Sequence, residues 1–206
     1  MNISKKKKFD SFFKDYILTL ENKLKNIQLD KLFIASELIL KTIKKNKHIY
    51  VCGNGGSGAI ADHYICDFFK QLSKYTNLKA KIRSLNSDQY LLSAISNDIS
   101  YSDIFSVQAE RYFVTGDILI IISSSGNSAN IKKVLKFCKK KKIKTIGFSN
   151  FSGGFLDKNS DISIHSKVNN YGVGEDINHI LMHLLMQFIA KTNLNIENIK
   201  NKKIIL

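Results

Sequence analysis

The chain has 206 residues, 44% of them hydrophobic, and a formal charge of +15. This is enough to bury one substantial core without requiring a second domain. The cations are almost all lysine, with Arg83 and Arg111 the only arginines, and proline is absent. Base and phosphate forks use arginine, so the lysine excess argues for no nucleic-acid partner and reads instead as a habit of base composition.

In chain order, residues 9–46 carry apolar side chains at helical spacing (Phe12, Phe13, Ile17, Leu20, Leu24, then Leu32, Ile34, Leu38, Ile43), which predicts two helices broken near "NIQLD". The Lys5 to Lys8 run ahead of them reads as a solvated, frayed terminus. An alternation of element types follows. The strand "HIYVC" leads into a helix from Ser57 to about Lys74, then the strand "KAKIRSL" and a helical stretch around Asp88 to Ala94. The strand "DILIIIS", a helix from Ser128 to Lys141, the strands "IKTIGFS" and "DISIHS", and a helix from about Glu175 to Ala190 complete the series.

Short apolar strands separated by helices predict right-handed crossovers: an α/β, Rossmann-like parallel sheet of about five strands, sandwiched by helices and preceded by N-terminal helices. No linker or repeat is visible, so the chain reads as one domain, with helices at about 9–46 and the α/β core at about 47–192. Cys52, Cys66 and Cys138 are odd in number and scattered, and no apolar run approaches a membrane span, which together suggest a reducing, cytoplasmic setting and no membrane.

The polar clusters fall after the strands, where such sheets bind ligands. Gly53, Gly55 and Gly58 match the G-x-G-x-x-G pattern of dinucleotide sites. That reading needs an acid about 20 residues on to hold a ribose hydroxyl, and the candidate Asp88 lies about 30 beyond Gly58. In "SSSGNSAN", the hydroxyls of Ser123, Ser124, Ser125 and Ser128 gather with a glycine before a helix, a composition suited to a phosphate monoester. One cap needs one hydroxyl, and four are present. His63 and Asp67, four apart, share a helix face; Glu175, His179 and His183 follow at the same step on the last helix. Such pairs suit either metal ligation or a base with its orienting partner.

Strand-GNGGS-helix, then "SNDISYSDIF", then strand-SSSGNSANI-helix resembles the SIS (sugar isomerase) phosphosugar-binding domain, and within it the phosphoheptose isomerases, over about Asn22 to Ile189. The resemblance implies interconversion of sedoheptulose 7-phosphate and D-glycero-D-manno-heptose 7-phosphate by a cytoplasmic homotetramer serving surface-polysaccharide synthesis. A phosphosugar of another pathway and a non-catalytic SIS protein that binds a phosphosugar or a protein remain alternatives. By that resemblance, Asn54, Gly55, Gly56, Ser57, Asn97 and Asp98 meet the sugar, the four serines meet its phosphate, and Gly58 has no role of its own.

The family's metal and acid–base positions fall on His63, Asp67, Glu175 and His183, with Asp67 and His183 catalytic and Glu175 also against the substrate. Zn²⁺ is the cofactor implied. Two positions depart from the family: Asp67 stands where it has glutamate, and Glu175 where it has glutamine. His179 falls outside the family's functional positions and, with His48 and His165, is assigned to structural contacts, a local His179/His183 metal pair remaining the alternative.

Overall fold

The computed structural model describes residues 3–195. Two helices open it, α1 (Ile3–Lys25) and α2 (Leu29–Lys44). The lysine run expected to fray is helical, and Lys6 pairs with Asp10 one turn on at 2.8 Å. The α/β series is β1 (His48–Gly53), α3 (Gly56–Cys66), β2 (Lys81–Ser84), α4 (Gln89–Asp98), α5 (Ser106–Tyr112), β3 (Ile118–Ser123), α6 (Ala129–Lys141), β4 (Lys144–Ser149), α7 (Gly154–Asn159), β5 (Ile162–His165) and α8 (Tyr171–Thr192).

The five strands form one parallel sheet in the order β2-β1-β3-β4-β5. The reason is legible in β3, where Ile118 to Ile122 are all buried: a strand covered on both faces must be apolar at every position. Alternate side chains serve opposite layers. Ile118, Ile120 and Ile122 join Ile49 and Val51 in the layer beneath α2, α3 and α8, while Leu119 and Ile121 join Tyr50 and Cys52 in the layer beneath α5 and α6. Truncating one of these isoleucines to alanine would cost about 2–5 kcal/mol. Buried Asp117 ties the loop before β3 to β1 by accepting from the backbone N–H groups of His48 and Val114, both at 2.9 Å.

Three features differ from the sequence reading. α5 and α7 were not anticipated, because seven and six residues are too few to establish a helical period. α4 runs on to Asp98, so Asn97 and Asp98 end a helix instead of lying in a loop. The long helix expected after the first glycine loop widens from Asp67 to Leu72 into a π-helical stretch, a local form that recurs at functional sites, and ends in one turn at Ser73–Tyr75.

Cys52 and Cys138 are buried and Cys66 exposed, all three without a disulfide. Burial raises the Cys52 thiol well above its ordinary value and pushes Cys138 up to about 12, so neither is a thiolate near neutral pH. No described helix is long and apolar enough to cross a membrane.

Candidate active site

β1 sits between β2 and β3, so the chain turns one way after β1 and crosses to its other side after β2. The carboxyl ends of β1 and β3 therefore flank the switch point where open α/β sheets bind ligands. Both polar loops lie there. Asn54 follows β1 and Asn130 lies in the first turn of α6, and their amides pair reciprocally: Asn54 Nδ2 donates to Asn130 Oδ1 at 3.0 Å, and Asn130 Nδ2 to Asn54 Oδ1 at 2.9 Å. Tyr101, from the turn after α4, donates its hydroxyl to Asn54 Oδ1 at 3.2 Å. The loop after β1 is thus tied to the loop after β3.

In the serine loop, hydroxyl oxygens accept local bonds. Ser123 Oγ accepts from the Gly126 N–H (3.2 Å), Ser124 Oγ from Asn150 Nδ2 (3.2 Å) and Ser125 Oγ from the Asn127 N–H (3.3 Å). Accepting leaves each O–H free to donate to an anion. Ser128 occupies the N-cap of α6 and makes no side-chain cap bond, so its hydroxyl is not spent on the helix. Gly126 has φ +63°, and a Cβ there would fall 2.0 Å from the Gly153 carbonyl oxygen. The loop can close against the one after β4 only with glycine at that point.

The place of the ribose acid in a dinucleotide fold, just past β2, holds Asn86, whose amide is used by the backbone: Oδ1 accepts from the Gly53 N–H (3.1 Å) and Nδ2 donates to the Gly53 oxygen (2.7 Å). Gly58 has a role after all. A Cβ there would stand 3.0 Å from the Gly53 oxygen and 3.1 Å from Asn86 Nδ2, so its bareness lets α3 pack against this junction. Ser57 is buried in the first turn of α3, whereas Asn97 and Asp98 are exposed and bonded to each other at 2.8 Å.

His63 of α3, Asp67 at the start of the π-helical stretch, and His179 and His183 of α8 face one another. His63 Nε2 and His183 Nε2 approach to 3.0 Å. Asp67 Oδ2 stands 3.0 Å from His183 Nε2 and 3.5 Å from His63 Nε2, buried and with no hydrogen-bond partner. His179 joins them from one turn earlier on α8, its ring centroid 4.6 Å from each of the other two imidazoles and its Nε2 likewise buried without a partner. Ligand atoms of His63, His179 and His183 all lie within 4.8 Å of one another. Desolvation, then the nearby His183 and His63, lower the His179 pKa, which keeps the ring neutral and available as a ligand.

Three imidazole donors gathered within 4.8 Å form a group that could hold a divalent cation, and Asp67, although close to His63 and His183, lies outside it. Glu175 is not in the group. Its carboxylate lies at the start of α3, 2.6 Å from where a Gly56 Cβ would be, beside the loop that follows β1. His48 and His165 do make structural contacts: His48 stacks on Tyr50, and His165 Nε2 meets the Phe151 oxygen at 3.0 Å.

Sheet order and paired loops at the switch point define a doubly wound α/β domain. Comparison with known proteins agrees. A family model described as SIS domain matches residues 12–150. Phosphoheptose isomerase 2 of Campylobacter jejuni is 39% identical over 155 residues, covering 74% of this chain and 76% of that protein. The Helicobacter pylori phosphoheptose isomerase is 30% identical over 172 residues, covering 84% and 88%. The structure of phosphoheptose isomerase GmhA from Neisseria gonorrhoeae superposes with a TM-score of 0.79 at 26% identity, over 89% of this chain and 98% of that one. The chain belongs to the SIS domain family and, within it, to the phosphoheptose isomerases.

Proposed function

We propose that the protein is a phosphosugar aldose–ketose isomerase that interconverts sedoheptulose 7-phosphate and D-glycero-D-manno-heptose 7-phosphate in the cytoplasm, for surface-polysaccharide (lipopolysaccharide) synthesis. The carrying observation is the buried Asp67 carboxylate set between two imidazoles, its Oδ2 3.0 Å from His183 Nε2 and 3.5 Å from His63 Nε2. Family membership supplies the substrate class.

The reaction moves a proton between adjacent carbons through an enediol, which requires a base at carbon, a proton carrier at oxygen and stabilisation of the oxyanion. Asp67 is the base: buried and without a hydrogen-bond donor, its oxygen is held ready to take the carbon-bound proton and return it to the neighbouring carbon. His183, 3.0 Å away, carries the proton between the sugar's two oxygens. A divalent ion, Zn²⁺ in this reading, would polarise those oxygens when held at the imidazole cluster. The hydroxyls of Ser123, Ser124, Ser125 and Ser128, with the amino end of α6, take the phosphate. Asn54, Gly55, Gly56, Ser57 and Glu175 line the sugar between the phosphate and the base, and Asn97 and Asp98 reach hydroxyls farther out.

The whole chain acts as one SIS domain, assembled as a homotetramer. Supporting the assembly, Ile180, Leu184 and Phe188 form an exposed apolar row on α8 beginning beside His183, with Phe33 of α2 edge-on to Phe188. Phe9, Phe12, Phe13 and Ile17 expose a second row on α1. Contiguous apolar surface of this kind marks association.

A panel of ketose and aldose phosphates assayed with and without Zn²⁺ tests the reading. Heptose 7-phosphate forms from sedoheptulose 7-phosphate if it holds. Absence of turnover of every ketose phosphate by well-folded protein overturns it.

A further inference from the structure

Asn150, the first residue after β4, is completely buried, and three separate segments meet at its side chain. Its Nδ2 donates to Ser124 Oγ at 3.2 Å in the loop after β3, and its Oδ1 accepts from the Ser166 hydroxyl beyond β5. Its backbone N–H also donates to the Ser124 carbonyl oxygen at 2.9 Å, so residues 124 and 150 are joined twice. On the remaining side lies α8. A Cβ at Gly174 would stand 2.5 Å from Asn150 Nδ2, so the helix comes down on the amide only because residue 174 is bare. The next residue of α8 is Glu175.

A serine hydroxyl has one hydrogen and two lone pairs, and it rotates to suit its neighbours. With a donor fixed on one lone pair, the Ser124 O–H turns away from Asn150 and stays available to another acceptor. An acceptor at residue 150 would take that hydrogen instead. We infer that Asn150 is a positioning residue for phosphate: without touching the ligand, it sets the Ser124 hydroxyl as a donor toward the phosphate and holds the loop after β3 against α8. The inference rests on the phosphosugar reading proposed above and deepens its phosphate part. Ser166 takes part at one remove, because its hydroxyl occupies Oδ1 and leaves Nδ2 to face Ser124. A donor oriented in advance saves the ordering cost that a free rotor incurs on binding, so the effect falls on affinity.

The test is a calorimetric titration of the full-length protein with inorganic phosphate, each variant first being shown to fold by thermal unfolding. Ser124→Ala removes a hydrogen bond to a charged group and weakens phosphate about 10- to 100-fold. Asn150→Leu, of similar size but without a donor, weakens it about fivefold in the parent and less than about twofold where Ser124 is already alanine. A merely structural role for Asn150 would leave the same loss in both backgrounds. Asn150→Asp, whose carboxylate accepts from Ser124, loses more than Asn150→Leu. Ser166→Ala, the mildest change, loses about threefold by freeing the amide. The inference is overturned by equal affinity in the parent and Asn150→Leu, by a loss undiminished beside Ser124→Ala, by Asn150→Asp binding as tightly as the parent, or by no phosphate bound to the parent. If neither Asn150 variant folds, Ser166→Ala decides, and unchanged affinity there overturns the inference. Phosphate binding needs no turnover. Protein that binds phosphate in this order yet converts no ketose phosphate keeps the inference and loses the isomerase reading, and turnover without the Asn150 effect does the reverse.

Discussion

The loop pair at the strand ends and the imidazole cluster between α3 and α8 are built in opposite ways. In the loops the amide side chains have found protein partners: Asn54 with Asn130, Asn150 with Ser124, Asn86 with the Gly53 backbone. In the cluster, buried Asp67 and His179 atoms have none. Satisfied groups hold a shape, and unsatisfied ones hold a capacity to react or bind; the molecule keeps these two tasks on different elements. Substitutions in the cluster should therefore damage chemistry with little effect on folding, and substitutions at the loops' amides and glycines should weaken folding and substrate binding more than the chemical step.

The largest effect is expected at Asp67. Asp67→Asn keeps the shape and removes the base, lowering kcat by about 100- to 10,000-fold, or about 3–5 kcal/mol of barrier. Because it also removes a buried carboxylate without a hydrogen-bond partner, the metal-free melting temperature should stay level or rise, which calorimetry checks. A steep loss of stability instead would mean that the cluster is part of the scaffold.

Gly126→Ala probes the other side. With φ +63° and the Gly153 carbonyl in the way, the added methyl should destabilise the fold by about 3 kcal/mol, seen as a lower urea midpoint at unchanged slope. Asn130→Leu replaces a buried amide by a side chain of similar size and strips Asn54 of both its Asn130 bonds. Its cost should be about 1–3 kcal/mol, with KM for the phosphosugar raised more than kcat is lowered. An equal fall in kcat with KM unchanged would place Asn130 in the chemistry and erase the contrast.

The smallest effect lies outside both regions. Tyr16 on α1 donates to Asp176 on α8 at 2.6 Å, and that hydrogen bond, with burial and the carboxylate's charge, raises the phenol from 10.0 to about 12. Since the folded value lies above the unfolded one, the contribution is complete below about pH 10 and is lost as pH rises from about 10 to about 12. Tyr16→Phe should cost less than about 1 kcal/mol at this exposed contact and abolish that alkaline loss, measured by melting between pH 9 and about 12.

Much of the loop region was legible in the sequence because it is local. "CGNGGS" and "SSSGNSAN" each run from strand end to helix start within a few residues, so turn chemistry and helix starts announce them. The pairing of Asn54 with Asn130 was not legible, since it joins residues 76 apart across two strands. Gly58 was set aside because motif matching assigned it nothing, although a Cβ there would crowd the Gly53 oxygen and the Asn86 amide.

The cluster was legible by halves. Four-residue spacing put His63 with Asp67 and His179 with His183, each on one helix face. Spacing alone says nothing of how two helices meet, and His179 looked structural until α3 and α8 were laid together.

The sequence by itself determined the sheet, through apolar runs that only a doubly covered parallel strand can use, and the strand-to-helix turn rich in hydroxyls that follows β3. Tertiary structure decided which side chains share the reactive point. That choice depends on the axial offset of α8 against α3, set by packing of Val173, Ile177, Leu181 and Leu185 in the core, and a shift of one turn, about 5.4 Å, exchanges one ligand candidate for the next.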